Sequence, residues 1–214
     1  MSITGAFIMP HPPLILPQIG QGEELKIQKT INSCKEIAKH VAKIQPNTIV
    51  LISPHKVMGS GYFNISFGNK AKGNLAQFNA RNIEIDIEHD VEFVKALEQK
   101  TKTAGIPTLF LSEKSSSLDH GAIIPLTFIN EKYKNYKLVC ISLSELSLKE
   151  HYRLGMCVAD VAKKSGKNVV FIASGDLSHK VSANGPYGFA KEGIEFDNII
   201  TNAMASGDFL QFLT

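Results

Sequence analysis

Four of the seven histidines of this chain each follow an apolar, strand-like run of residues. They are His11, His55, His120 and His179. A neutral imidazole binds metal ions, and a group that titrates near pH 7 can both take up and return a proton. In an open α/β sheet, ligands collect beyond the carboxyl ends of the strands. The shared position of these histidines therefore predicts that they meet there in one metal or acid–base site.

Strand-like and helix-like segments alternate along the chain. This alternation predicts an α/β fold with a mostly parallel central sheet flanked by helices on both faces. The predicted strands are Ile3–Met9, Thr48–Ser53, Pro107–Leu111, Lys137–Ser142 and Asn168–Ala173. The predicted helices are Glu23–Ile44, Asp90–Thr103, Gly121–Glu131, Leu148–Ser165 and Glu192–Ala205.

The segment Tyr62–Ile87 departs from this alternation because it is rich in Asn, Gly and Phe. Its short alternating pieces, Tyr62–Phe67, Gln77–Asn79 and Asn82–Ile87, predict a small excursion of strands and loops. We expect this excursion to border the site.

Composition narrows the class of protein. The chain has 214 residues, of which 43% are hydrophobic and 20% charged, as expected for one globular domain with a core. A net charge of +3 without a basic run argues against nucleic acid as a partner. No apolar run approaches the roughly 20 residues that cross a bilayer. The three cysteines, Cys34, Cys140 and Cys157, lack CxxC spacing, so we predict buried thiols in a cytoplasmic protein.

Prolines surround the first two of the four histidines. His11 lies in a Pro-His-Pro-Pro segment, and His55 ends a Ser-Pro-His segment after the second predicted strand. Proline fixes the backbone angle φ and has no backbone N–H to donate. Each turn is therefore stiff, and its histidine loses little conformational entropy when it is held in a site. Taken alone, His11 could also be a surface histidine in a turn. Two such turns after consecutive strands favour a site.

The other two histidines lie in more polar segments. His120 begins an apolar helix, and Asp119 before it is a candidate N-cap. The helix dipole would favour a neutral imidazole there, although Asp119 could cap a helix in which His120 has no role. His179 ends the segment Ser-Gly-Asp-Leu-Ser-His, in which Asp176 and Ser178 are candidates to orient its ring. The alternative is an Asp/Ser turn with a surface histidine.

In these motifs the chain resembles the LigB-type, or class III, extradiol ring-cleaving dioxygenases and their Memo-like relatives. The motifs occur in the same order along nearly the whole chain and include the Gly-Pro loop Gly185–Gly188. The resemblance implies that His11 and His55 bind a non-haem Fe(II), with Zn(II) as a substitute. It implies that His179 is the general base and later acid for a catechol hydroxyl, and that His120 stabilises bound oxygen or the substrate.

The family's third iron ligand is a glutamate in a Glu-Cys-Gly-like segment beyond the helix that follows the Gly-Pro loop. This chain ends at Thr214 before such a segment. We therefore expect residues 1–214 to form a single LigB-like domain that lacks its C-terminal segment. Glu192 and Glu195 lie on the intervening helix, outside the family motif, and we assign neither as a ligand.

Three functions are compatible with these residues. The first is ring cleavage of a small aromatic diol by O2, and the second is a Memo-like module that binds a metal or a partner without ring cleavage. The third is a metal-dependent hydrolase that activates water, which would need Asp176 as its carboxylate. A homodimer is the default expectation for an enzyme of this size.

Overall fold

The computed structural model describes residues 2–111 and 117–213 and has the predicted α/β fold. The strands are β1 Ile3–Met9, β2 Thr48–Ser53, β3 Phe63–Ser66, β4 Lys70–Leu75, β5 Ala80–Glu88, β6 Thr108–Leu111, β7 Lys137–Ser142 and β8 Val169–Ser174. The α-helices are α1 Pro17–Gly20, α2 Gln28–Ile44, α3 Val91–Ala104, α4 His120–Asn130, α5 Leu148–Ser165 and α6 Lys191–Ser206. The 3-10 helices are Pro13–Ile15, Glu23–Ile27, Ala76–Phe78 and Leu210–Leu213.

The central sheet has six strands in the order β1-β8-β2-β7-β3-β6. The strands β1, β8, β2 and β7 are parallel, so their carboxyl ends lie at one edge. β3 pairs antiparallel with β7 and parallel with β6. The mostly parallel sheet is therefore confirmed, but β3 and β6 end at the opposite edge.

Helices cover both faces of this sheet, as predicted. Side chains alternate between the faces of a strand, and in β2 Ile49 and Leu51 pack with residues of α2 and α4. Val50, between them, packs on the other face with residues of α3 and α5. Because both faces are covered, β2 is apolar without alternation.

The excursion consists of strands and loops, as predicted. β3 joins the central sheet, whereas β4 and β5 form a separate antiparallel pair. The short piece Gln77–Asn79 lies in a turn of the excursion, where the chain passes through the 3-10 helix Ala76–Phe78. Asn79 has φ 58°, a left-handed conformation that cannot continue a strand, and Asn74 Oδ1 accepts a hydrogen bond from Ala76 N.

Residue contacts divide the chain into two compact units, 1–175 and 176–214. The second unit contains α6 and an antiparallel bridge between Val181 and Phe189. None of the helices within the described residues is long and apolar enough to span a membrane. The three cysteines are buried free thiols, as predicted.

An ion pair between the buried Asp90 and the partly buried Lys167 stabilises the amino edge of the sheet. Both carboxylate oxygens of Asp90 lie 2.8 Å from Lys167 Nζ, and Asp90 also accepts from Thr48 Oγ1 and from Phe93 N. Burial raises the pKa of Asp90, but the hydrogen bonds from Lys167, Thr48 and Phe93 N outweigh it, so the pKa is lowered. A carboxyl with a lowered pKa stabilises the fold above about pH 4, and this contribution disappears as the pH falls through the folded-state pKa.

Replacing Lys167 with Met is expected to lower the free energy of unfolding by about 2 kcal/mol at pH 7, because the charge of Asp90 stays buried without its cation. The difference from the parent should shrink below about pH 4, where Asp90 is protonated in the variant. Urea denaturation at pH 7 and pH 3 measures both effects. Lys164→Met, on the exposed side of α5, is the control, and a Lys167→Met variant as stable as this control would contradict the prediction.

Candidate metal centre

The sheet brings His11 and His55 together at one edge. His11 follows β1 and His55 follows β2, and these strands lie on either side of β8 with their carboxyl ends at the same edge. The two Nε2 atoms are 3.0 Å apart. His11 is only 3% exposed, so the interpretation as a surface turn histidine is wrong.

His120 joins this pair as the first residue of α4. Its ring centroid lies 4.0 Å from that of His55 and 5.6 Å from that of His11. Asp119 caps α4 as predicted, since its Oδ1 accepts from Ala122 N at 3.1 Å. The capped start of α4 thus holds the ring of His120 beside those of His11 and His55.

The route by which His120 reaches the site differs from the expectation. The predicted strand before it is β6, which runs antiparallel to β1, β8, β2 and β7 and ends at the opposite edge. The start of α4, not the end of a strand, therefore places His120. Leu118 N donates to Lys72 O, which ties the segment before α4 to β4.

His11, His55 and His120 each offer a nitrogen, and these three atoms lie within 4.8 Å of one another. We call them the imidazole cluster. Two nitrogens that each lie about 2.1 Å from one ion are about 3.0 Å apart when they subtend a right angle at it. The separation of the His11 and His55 nitrogens matches this value, so these two residues could hold one metal ion. Within the described ranges it is the one such group of three or more ligands, and it contains no carboxylate.

Two serine hydroxyls support the cluster, and sequence analysis missed both of them. Ser174 Oγ, at the end of β8, lies 2.8 Å from His11 Nδ1 and donates to Gly121 O at 2.5 Å. Ser53 Oγ, at the end of β2, donates to Asp119 Oδ1 at 2.6 Å. Each of these serines is the last residue of a buried apolar strand, and this feature of the sequence could have indicated them.

A cavity of about 420 Å³ adjoins the cluster. Its lining residues are His55, Asn74, Gln77, Ser117, Leu118, Asp119 and His120. The turn between β4 and β5 forms part of its wall, which confirms that the excursion borders the site. In this turn the ring of Phe78 lies 5.3 Å from that of His120, and Gln77 Nε2 lies 3.5 Å from His120 Nδ1.

The buried thiol of Cys140 on β7 is not a candidate ligand. Burial raises its pKa to about 11. Lys56 and Ser66 lower this pKa in part, and Asp119 raises it further. The thiolate is the reactive form, so a pKa this high makes Cys140 a poor nucleophile, and Cys140 is not among the three grouped ligands.

His179 lies in the second unit, where it is half-exposed. Its Nε2 is 3.5 Å from Asp176 Oδ2, and its ring is 5.0 Å from that of Tyr187 in the Gly-Pro loop. Ser178 orders the adjacent backbone, since its Oγ accepts from Lys180 N and its N donates to Asp197 Oδ1. The roles of His179, Asp176 and Ser178 stay predictions.

Comparison with known proteins identifies relatives of this chain. Residues 5–214 match the family model described as the catalytic LigB subunit of aromatic ring-opening dioxygenase. The chain is 37% identical to Protein CA_C1420 of Clostridium acetobutylicum over 97% of its own length and 46% of that protein. It is 24% identical to 3,4-dihydroxyphenylacetate 2,3-dioxygenase of Escherichia coli, with 72% of this chain and 57% of that protein covered.

A MEMO1 family protein of Methanocaldococcus jannaschii is 26% identical to this chain, over 84% of the chain and 58% of that protein. The similarity thus includes both a dioxygenase and a MEMO1 family protein. The chain spans about half the length of the curated relatives it matches.

Proposed function

The chain belongs to the LigB family of catalytic subunits of aromatic ring-opening dioxygenases, and from this membership we propose that it is a non-haem Fe(II)-dependent extradiol dioxygenase. Its substrates would be a small aromatic diol and O2. The observation that carries the proposal is the separation of 3.0 Å between the Nε2 atoms of His11 and His55. Two nitrogens at this distance at the carboxyl edge of a sheet can share one divalent ion.

His11 and His55 can supply two of the three donors of an iron facial triad. Imidazole nitrogens suit Fe(II), and they also suit Zn(II), which would compete for the same residues. We assign His11 and His55 as the protein ligands. Bound iron would supply the redox chemistry between the aromatic diol and O2.

His120 would act on the reacting oxygen atoms and not as a ligand. When Gln77 Nε2 donates to His120 Nδ1, a neutral His120 carries its hydrogen on Nε2. From that position, His120 can donate a hydrogen bond to an oxygen atom of the substrate or of O2 in the adjoining cavity. The start of α4 favours this neutral form, because the positive end of the helix dipole disfavours an imidazolium.

His179 would remove a proton from a diol hydroxyl and return it later, as the resemblance to the family implies. Asp176 lies close enough to orient its ring. The buried, unbridged thiols support a cytoplasmic location for this activity.

A Memo-like module that binds a metal or a partner is the second candidate function. The observation that favours it is the absence of a carboxylate from the imidazole cluster among the residues that the structure describes. The facial triad of iron oxygenases combines two histidines with one carboxylate. A site of imidazoles alone can bind a metal without ring cleavage.

Anaerobic calorimetry with Fe(II), followed by oxygen-electrode measurements with a panel of catechols, tests the proposal. We expect one Fe(II) per chain and oxygen uptake that depends on the catechol. His120→Ala should keep Fe(II) affinity within about tenfold and lower oxygen uptake by roughly 100-fold or more, since it removes a positioned proton donor. Iron binding without oxygen uptake for any catechol would favour the Memo-like module. A chain that binds no iron would overturn the dioxygenase proposal and would leave the Memo-like module only partner binding or another metal.

A further inference from the structure

We propose that Ser174 is a positioning residue that fixes the tautomer of His11, so that the Nε2 lone pair of His11 faces the metal position. The inference rests on the proposed function only for the identity of the metal. The tautomer itself follows from hydrogen bonds within the first unit of the chain.

The direction of the hydrogen bonds follows from the chemistry of their atoms. A serine hydroxyl has one hydrogen to donate and two lone pairs to accept with. A carbonyl oxygen only accepts, so the contact of 2.5 Å between Ser174 Oγ and Gly121 O uses the hydroxyl hydrogen. At the contact of 2.8 Å with His11 Nδ1, Ser174 Oγ must therefore accept. His11 Nδ1 then carries a hydrogen.

A proline explains why Gly121 O takes this hydrogen. In an α-helix, each carbonyl accepts from the N–H four residues later. Four residues after Gly121 in α4 lies Pro125, which has no N–H. Ser174 supplies the donor that the helix cannot. Since Ser174 is only 5% exposed, water has little access to replace it.

The consequence for His11 is a lone pair on Nε2. A neutral imidazole that carries its hydrogen on Nδ1 presents Nε2 as the acceptor, which is the form that binds a metal. In the metal-free protein, the contact of 3.0 Å between the two Nε2 atoms then requires His55 to donate. The Ser174 hydroxyl thus connects the end of β8, the start of α4 and the orientation of a metal ligand.

Nitrogen-15 NMR of the histidine side chains in the metal-free protein, at a pH where His11 is neutral, tests this directly. In the parent, His11 should be in the Nδ1–H tautomer. In Ser174→Ala the tautomers should become mixed, and Ser174→Thr, which keeps a hydroxyl, should restore the Nδ1–H form. A parent protein in which His11 carries its hydrogen on Nε2 would overturn the proposal, whether or not any variant folds.

Ser142→Ala is the matched control. Ser142 is fully buried at the end of β7, and its Oγ accepts from Asn64 N, outside the imidazole cluster. We expect this variant to keep the parent tautomer of His11. Loss of the Nδ1–H form in Ser142→Ala, to the same extent as in Ser174→Ala, would show that any buried serine has this effect and would overturn the assignment.

Metal affinity gives a second readout. Removing a hydrogen-bond partner of a metal-binding histidine typically lowers affinity by 10- to 100-fold, and we expect a loss of about this size for Fe(II) in Ser174→Ala. Full Fe(II) affinity in a variant with mixed tautomers would contradict the positioning role. If the parent binds no Fe(II), the proposed function fails, whereas the NMR result still decides the tautomer.

Discussion

Replacing both His11 and His55 with alanine is expected to abolish stoichiometric Fe(II) binding. Structural zinc sites with four ligands bind with about 10–16 kcal/mol, or about 3 kcal/mol per ligand. The loss of two imidazoles should therefore lower the affinity by roughly 10⁴-fold. Each single variant should fall between the parent and the double variant. Anaerobic calorimetry of the four proteins measures the series.

His40→Ala is the control for this series. His40 is an exposed histidine on α2, and its Nδ1 contacts Glu36 O one helical turn away. Its replacement should leave Fe(II) affinity and stoichiometry unchanged. Full Fe(II) binding by a folded double variant would place the metal elsewhere and contradict the assignment of His11 and His55. Circular dichroism of each variant establishes that it is folded.

Replacing Gly121 with alanine should have the second largest effect. A Cβ atom at residue 121 would lie 2.4 Å from Ser53 Oγ, 3.0 Å from Asp119 Oδ1 and 3.4 Å from His55 Cδ2. Real Cβ atoms essentially never approach within 3.0 Å. Either the Ser53 hydroxyl rotates away and loses its hydrogen bond to Asp119, or the start of α4 moves away from the end of β2 together with His120.

The expected cost of Gly121→Ala is about 1–3 kcal/mol of unfolding free energy, the usual penalty for overpacking a buried site. Fe(II) affinity should fall by roughly 100-fold, because the hydroxyls that support the two ligands lose their geometry. Urea denaturation and calorimetry measure the two quantities.

Gly155→Ala is the matched control, since Gly155 lies on α5 with nothing within 4 Å of the added methyl group. Alanine is the better helix former by about 1 kcal/mol, so this variant should be slightly more stable and bind Fe(II) normally. A Gly121→Ala protein with the Fe(II) affinity of Gly155→Ala would show that the contact between α4 and β2 does not support the site.

The sequence determined the architecture because its patterns are local. The alternation of strand-like and helix-like segments predicted a sheet with helices on both faces. The structure also confirms the predicted bounds of two strands and one helix, Thr48–Ser53, Lys137–Ser142 and Leu148–Ser165. Where a turn depends on one backbone angle, as at Asn79, apolar alternation does not distinguish the strands of the excursion from its loops. A left-handed residue interrupts a strand whatever the pattern around it.

The sequence by itself also singles out His11, His55 and His120, because proline turns and a capping aspartate are visible in a few residues. Their meeting was decided by tertiary structure. Strand order places β8 between β1 and β2, and the reversed direction of β6 leaves α4 to deliver His120. The roles of Ser53 and Ser174 depend on the same packing, since each hydroxyl bonds to a residue of the segment 119–121 that is more than 50 residues away in the chain. Local sequence determines the preference of each segment for helix, strand or turn. Hydrogen bonds between groups that are distant in the chain form only when the sheet and its helices pack together.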